Sequence, residues 1–163
     1  MVLEDLMRFM TEDWIEYCMD LAIEEAEKGL VEGGIPIGSV LADVSRGSCY
    51  KTYSGHNQRV QKNDPILHAE MDCLKNAGRL HSSAYQASVL FSTLSPCYMC
   101  SGAVLLYKIP IVVIGESETF QGPEAYLESM GVKLIRRNDQ RCIKMMRDFI
   151  KRNPQLWNED IGV

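Results

Sequence analysis

The sequence predicts an α/β fold, in which helices cover both faces of one mixed five-stranded sheet to form a three-layer α/β/α sandwich. Two observations lead to this prediction. Segments with helical periodicity alternate along the chain with short runs rich in Val, Ile and Leu. Repeated strand–helix–strand order also requires parallel pairing with right-handed crossovers, which places helices on both faces. A chain of 163 residues can bury one core, so residues 1–163 are predicted to form a single domain.

The first predicted elements are a long helix and a hairpin. Apolar side chains recur at helical spacing over residues 12–30, and Thr11 is suited to cap the helix N-terminus. The segments "IPIGSVLAD" (35–43) and "SCYKTYSG" (48–55) then predict two short strands. Because the intervening "VSRG" resembles a turn, these strands should pair as a hairpin.

The rest of the chain alternates helices and strands, and several helices end at a glycine, as at Gly78 and Gly131. The predicted elements are helix 68–77, strand 87–94, helix 96–108, strand 111–115, helix 123–130, strand 132–135, helix 139–152 and a short helix over 154–161. Ser95 and Pro96 are suited to the N-cap and the first position of helix 96–108.

Composition and charge exclude several functional classes. No apolar run approaches the ~20 residues that cross a bilayer, so no membrane partner is expected. The N-terminal "MVLEDLMRFMTEDW" lacks the basic and apolar regions of a signal peptide, which predicts a cytoplasmic protein, with the nucleus as a second location. In that compartment the six cysteines are poor disulfide candidates. A net charge of −5 and a pI of about 5.2 argue against a broad nucleic-acid surface.

The stretch "DPILHAEMDCL" (64–74) places two ionisable side chains, His68 and Glu70, at the start of a predicted helix. Positions two apart do not share a helix face, so these residues cannot act as a simple pair. A lone His-x-Glu is more often a surface or core histidine beside an exposed glutamate. Its position at a helix start nevertheless suits two different roles at one site.

The stretch "TLSPCYMCSGA" (93–103) places Cys97 and Cys100 together in the first turn of a later helix. A helix N-terminus lowers the pKa of a thiol, which favours the thiolate that binds metals. A single Cys-x-x-Cys is equally compatible with a redox dithiol or two small packed residues.

The two motifs are more specific together than apart. One strand separates their helices, so both helix N-termini should meet at the same end of the sheet, where open α/β sheets bind ligands. His68, Cys97 and Cys100 would then give three ligands to one Zn²⁺ ion per chain, and water would occupy the fourth position. Three protein ligands with an open position characterise catalytic zinc. Glu70 would stand over that position as the acid–base group.

His-x-Glu followed by Pro-Cys-x-x-Cys is the known signature of zinc-dependent nucleobase deaminases. Within that superfamily the chain resembles the fungal cytosine deaminases from about Trp14 to Gly162. The matching segments are "GGIPIGSVL", "GHNQRVQK", "LHAE", "NAGRL", "TLSPCYMCSGA", "IPIVVIGE" and "WNEDIG". This resemblance implies a cytidine deaminase-like fold and hydrolysis of free cytosine to uracil and ammonia, in pyrimidine salvage, by a homodimer. The reaction would use a zinc-activated water and Glu70 as a proton shuttle.

The resemblance also implies roles for residues around the metal. Asn57 and the backbone at Ala69 would bind the amide-like edge of the pyrimidine, and backbone carbonyls near Ser95 would help to hold the amine. Asp160 would accept a hydrogen bond from the exocyclic amine. The further residues implied, which would stack on the ring or close over it, are Phe120 and Trp157. The residues alone leave other roles open: Asn57 as a turn residue, Phe120 and Trp157 as packing aromatics, and Asp160 as a solvated terminal carboxylate.

Three alternative functions remain open at this point. A deaminase of tRNA or of single-stranded DNA would fit the basic side chains in and around helix 139–152, which are Arg137, Arg141, Lys144, Arg147, Lys151 and Arg152. Ala69 in "HAE" departs from the glycine of the fungal enzymes and fits the tRNA adenosine deaminases. A guanine or nucleoside deaminase would share the same metal site. A structural zinc module would need a fourth ligand, and neither His56 nor His81 has a suitable spacing.

Overall fold

A computed structural model describes residues 3–163 and contains one five-stranded sheet in the order β2-β1-β3-β4-β5. The strands are β1 (Gly38–Asp43), β2 (Lys51–His56), β3 (Ser88–Leu94), β4 (Ile111–Glu116) and β5 (Lys133–Arg136). Strand β1 pairs antiparallel with both β2 and β3, while β3–β4 and β4–β5 are parallel. The sheet is therefore mixed, as the sequence predicts.

The helices flank this sheet on both faces. They are α1 (Leu3–Phe9), α2 (Glu12–Val31), α3 (Arg59–Lys62), α4 (Ala69–Ala77), α5 (Ser82–Tyr85), α6 (Tyr98–Tyr107), α7 (Glu124–Ser129), α8 (Gln140–Arg152) and α9 (Pro154–Ile161). Within residues 3–163, none of them combines the length and the apolar character that crossing a membrane requires.

Alternating residues of the buried strands point into two separate hydrophobic layers. In β3, Phe91 packs with side chains of α1, α2 and α8 on one face. Its neighbour Leu90 packs with side chains of α4, α6 and α7 on the other face. This alternation is what a pleated strand buried on both faces requires. The predicted three-layer α/β/α sandwich is confirmed.

Several boundaries differ from the sequence-based expectation. Strand β1 begins at Gly38 rather than at Ile35, because Pro36 has no N–H to donate to the ladder. Residues 35–37 instead contribute Ile35 and Ile37 to a third apolar cluster beside α9. Helices α1, α3 and α5 were not predicted, because four to seven residues are too few for a clear helical period.

The start of α6 also differs. The structure places Cys97 at the N-cap and begins the helix at Tyr98, so the predicted N-cap role of Ser95 is wrong. Ser95 lies before the cap, and its hydroxyl is engaged elsewhere, by Glu124 and the backbone of Gly122. The predicted cap of α2 is confirmed, since Thr11 accepts from Trp14 N at 3.2 Å.

Candidate active site

The three predicted metal ligands meet where α4 and α6 begin. His68 is the N-cap of α4, Cys97 is the N-cap of α6, and Cys100 lies in the first turn of α6. One ligand atom of each lies within 4.8 Å of the others. Among residues 3–163, this is the one group of three or more His, Cys, Asp or Glu side chains close enough to share a metal ion. The structure thus brings the ligand set together as the spacing predicts.

The thiols of this cluster are polarised for cation binding. A hydrogen bond from Cys100 lowers the pKa of Cys97 to about 4, and the nearby His68 imidazole adds to this against the opposing effect of burial. The pKa of Cys100 is raised well above its ordinary value because it donates to Cys97 and is buried. A bound cation would replace the shared proton and favour two thiolates. Two thiolates and an imidazole are a donor set that zinc prefers, so the residues fit this metal.

The two ring nitrogens of His68 face different partners. Nδ1 lies 3.5 Å from Cys97 Sγ, on the side of the cluster. Nε2 lies 3.6 Å from Asp160 Oδ1. A carboxylate behind a metal-binding histidine is a common arrangement, since it fixes the ring orientation and increases the basicity of the ligand nitrogen. Nδ1 is therefore the nitrogen placed to bind a metal.

Glu70 lies beside the cluster, in the first turn of α4. It is 4% exposed, and the hydroxyl of Ser92 donates to its Oε1 at 2.9 Å. Burial raises the pKa of Glu70, and the negative charge of Cys97 raises it further. A raised pKa suits a carboxyl group that must both accept and release a proton near neutral pH.

A small cavity, partly open to solvent, adjoins the cluster. Its lining comes from five parts of the chain: the α2–β1 connection, the start of α4, the end of β3 with the β3–α6 connection, the loop between β4 and α7, and α9. The lining residues are Ile37, His68, Ala69, Glu70, Leu94, Ser95, Cys97, Phe120, Trp157, Asp160 and Ile161. Most of the predicted substrate-binding residues therefore line one space next to the metal ligands.

Phe120 and Trp157 form one wall of this cavity. Their ring centroids are 5.9 Å apart and the rings are nearly perpendicular, at 84°. This edge-to-face contact brings the β4–α7 loop against α9. Trp157 belongs to the apolar cluster under α9, so the two aromatic residues pack against each other as well as facing the cavity.

Asn57 contacts Asp160 rather than lining the cavity itself. It is fully buried, its Nδ2 donates to Asp160 Oδ1 at 2.9 Å, and its Oδ1 accepts from Arg59 N at 3.1 Å. The guanidinium of Arg59 lies 3.5 Å from the same Asp160 oxygen. These contacts hold the C-terminal helix α9 over the site and set the position of the Asp160 carboxylate.

Sequence reasoning missed three polar contributors. Ser92 interrupts the apolar run of β3, and a hydroxyl inside a fully buried strand is a signal that could have identified it. Arg59 lies within "GHNQRVQK", beside the predicted Asn57. Glu124 follows a Gly-Pro pair and looks like an ordinary helix start, so no local pattern marks it.

The fold, the ligand cluster and the adjacent buried glutamate together define a zinc-dependent deaminase. Residues 12–116 match the cytidine and deoxycytidylate deaminase zinc-binding region. The chain belongs to this family.

Known relatives act on different bases. The cytosine deaminase of Candida albicans is 48% identical over 147 residues, which cover 88% of this chain and 94% of that protein. A tRNA-specific adenosine deaminase of Streptococcus pyogenes is 40% identical over 112 residues, 67% of each chain. The structure of guanine deaminase from Nitrosomonas europaea superposes with a TM-score of 0.64 at 20% identity, over 81% of this chain and 82% of that one. That last likeness supports the fold alone.

Proposed function

We propose that this protein hydrolyses free cytosine to uracil and ammonia. The observation that carries the proposal is the small cavity in which Asp160 of α9 faces the metal-ligand cluster of His68, Cys97 and Cys100. A carboxylate acceptor suits the exocyclic amine of cytosine, which is a hydrogen-bond donor. The high identity to the C. albicans cytosine deaminase over most of both chains supports the same substrate.

The ring would be held from three sides. Asp160 accepts from the exocyclic amine and the backbone at Ala69 binds the amide-like edge, while Asn57 holds Asp160 in place through their hydrogen bond. Phe120 and Trp157 cover the face of the ring and exclude water. Exclusion of water strengthens each polar contact inside the site.

Glu70 moves the protons of the reaction. When bound to His68, Cys97 and Cys100, zinc supplies a water molecule with a pKa lowered towards ~7. Glu70 accepts a proton from the attacking water and delivers it to N3, which makes C4 electrophilic. The remaining hydroxyl forms the C4–O bond, and its proton then passes through Glu70 to the amine. The C4–N4 bond breaks and ammonia leaves. Ser92 keeps one Glu70 oxygen in place throughout.

The test compares the zinc-loaded protein with its Glu70→Gln variant. The parent should convert cytosine to uracil with one ammonia released per uracil, and both products can be measured. The variant keeps all three ligands, so it should bind zinc normally and lose about 10²–10⁴-fold in kcat. Full turnover by a zinc-loaded Gln variant would contradict the role of Glu70.

Homodimerisation, a cytoplasmic location and a place in pyrimidine salvage complete the proposal. An exposed apolar groove between α4, α5 and α6 supports the homodimer; its lining includes Ile66, Met71, Leu74, Leu80, Tyr85 and Tyr107. Uncovered apolar grooves of this kind commonly mark protein interfaces. Ile66→Glu should give monomers in sedimentation, whereas Val31→Glu, which changes an exposed apolar side chain of α2, should not.

The relatives that act on tRNA favour a second candidate, deamination of adenosine in RNA. Against it, most of the basic side chains of α8 and its approach are paired with acids. Arg141 contacts Glu16, Asp20 and Asp139, and Lys144 contacts Asp148. Paired cations contribute little to phosphate binding, so RNA binding should be weak. Tight RNA binding with a steep salt dependence would support the second candidate instead.

A further inference from the structure

The loop that carries Phe120 is fixed at both ends by buried carboxylates. Glu116 ends β4, is 1% exposed, and accepts from the backbone N–H groups of Glu118 and Thr119 at 2.7 and 2.9 Å. Glu124 begins α7 and is 2% exposed. Buried carboxylates at both ends of a short loop leave little freedom for the residues between them, among them Phe120.

Glu124 connects three separate parts of the fold. Its Oε1 accepts from the hydroxyl of Ser95, after β3, at 2.7 Å. Its Oε2 accepts from Arg136 Nε, at the end of β5, at 2.6 Å. Each carboxylate oxygen of Glu124 thus accepts from a different donor, so both contacts require a side chain with two acceptor atoms. Burial would raise the pKa of Glu124, but the hydrogen bonds from Ser95 and Arg136, together with the charge of Arg136, hold it below its ordinary value.

The same contacts reach the Phe120 loop through Ser95. The hydroxyl of Ser95 accepts from Gly122 N at 3.0 Å while it donates to Glu124. Gly122 lies two residues after Phe120, and a Cβ at this position would collide with the carbonyl oxygen of Pro96. The loop is therefore pressed against the β3–α6 connection, beside the metal ligand Cys97. Ser95 and Phe120 both line the cavity, so this contact sets the distance between two of its walls.

We propose that Glu124 is a positioning residue, which through Ser95 and Arg136 sets where the Phe120 ring stands over the bound base. Only the expected effect on KM depends on the proposed function; the position of Phe120 itself does not. On the proposed function Phe120 would cover the base both before and during the reaction, because it lines the cavity and takes no part in the chemistry. A displaced Phe120 should therefore weaken substrate binding and leave the chemical step almost unchanged.

The test variant is Glu124→Gln, which keeps the size of the side chain but offers one acceptor in place of two. The matched control is Glu128→Gln, which removes the same charge from the same helix. Glu128 also pairs with Arg136, at 3.1 Å, but its side chain is about half exposed, whereas that of Glu124 is buried. With zinc-loaded enzyme, Glu124→Gln should raise KM for cytosine about tenfold, with kcat little changed. Glu128→Gln should match the parent.

A second readout needs no substrate. In a Trp14→Phe background Trp157 is the single tryptophan, since the chain has two. Its ring is buried against Phe120, so displacement of the loop should shift its fluorescence emission to longer wavelength. Glu124→Gln and Phe120→Ala should show this shift, and Glu128→Gln should not.

The outcomes separate the two proposals. No turnover of cytosine by the parent would count against the proposed function, while the fluorescence comparison would still test Glu124. Parental emission and parental KM in Glu124→Gln would overturn the positioning role, as would a fall in kcat together with loss of zinc.

If Glu124→Gln does not fold, Arg136→Gln removes the other half of the contact from a partly exposed position. That variant must then show the same rise in KM and the same emission shift, and parental values would overturn the proposal.

Discussion

Replacing Asp160 with asparagine tests substrate recognition with almost no change in shape. The Asp160 side chain is 3% exposed, and one oxygen faces Asn57 Nδ2 at 2.9 Å and His68 Nε2 at 3.6 Å. Asparagine can retain the bond from Asn57 through its carbonyl oxygen. It loses the negative charge of the carboxylate, which would strengthen the hydrogen bond from the cytosine amine and which faces the guanidinium of Arg59.

The expected loss follows from the strength of these hydrogen bonds. A hydrogen bond with a charged partner contributes about 1.5–3 kcal/mol and a neutral one about 0.5–1.5 kcal/mol. The bond with the substrate amine should therefore weaken by about 1–2 kcal/mol, and the unpaired Arg59 adds to this. A total of about 2 kcal/mol corresponds to a fall of about 30-fold in kcat/KM.

The assay is the decrease in cytosine absorbance catalysed by zinc-loaded enzyme at neutral pH. Glu159→Gln is the matched control, because it removes the same charge from the preceding, exposed position of α9. Its kcat/KM should equal that of the parent. If Asp160→Asn also has the kcat/KM of the parent, then Asp160 does not bind the substrate amine and the assignment is refuted.

Three other predictions concern zinc, Glu70 and acid stability. Cys97→Ala should lose zinc and melt at a lower temperature, because metal binding energy contributes to folding; metal content and Tm of the purified protein check this. Ser92→Ala removes the hydroxyl that holds Glu70 and should lower kcat about tenfold, with zinc content unchanged; a parental kcat would contradict it. Glu124 stabilises the fold through its lowered pKa: burial opposes the shift, but the bonds from Ser95 and Arg136 outweigh it. This stabilisation is fully present above the ordinary value of 4.5 and is lost as the pH falls through the lower folded-state pKa. The Tm difference between the parent and Glu124→Gln should therefore shrink as the pH falls below 4.5, and a constant difference would contradict this account.

The sequence predicts the clustering of His68, Cys97 and Cys100 because it depends on local spacing and on a general rule of topology. Cys97 and Cys100 are three residues apart at a helix start, so the backbone alone places them together. His68 joins them because the crossover geometry of α/β sheets brings consecutive helix N-termini to one edge. The same reasoning gives the three-layer fold, since strand and helix periods are properties of short segments.

Contacts between distant segments are harder to predict. The error at Ser95 shows the reason: Ser before Pro is a good local cap, but a carboxylate 29 positions away engages its hydroxyl. The Asn57–Asp160 bond spans 103 positions, and the residues alone left both side chains with ordinary surface roles. Only the resemblance to the fungal enzymes indicated that these residues act together, and it did not indicate Ser92, Arg59 or Glu124.

One substrate comparison tests the central claim most directly. Zinc-loaded protein is incubated separately with free cytosine, cytidine, adenine and guanine, and each reaction is followed by ultraviolet absorbance. The account predicts that cytosine is converted and that the other three remain unchanged, because the small cavity beneath α9 limits the size of the substrate and so excludes the ribose of cytidine and the two-ring purines. Conversion of adenine or guanine in preference to cytosine would contradict the proposed recognition. If none of the four changes in a protein that holds one zinc per chain, the account of the cavity as a free-base site is wrong.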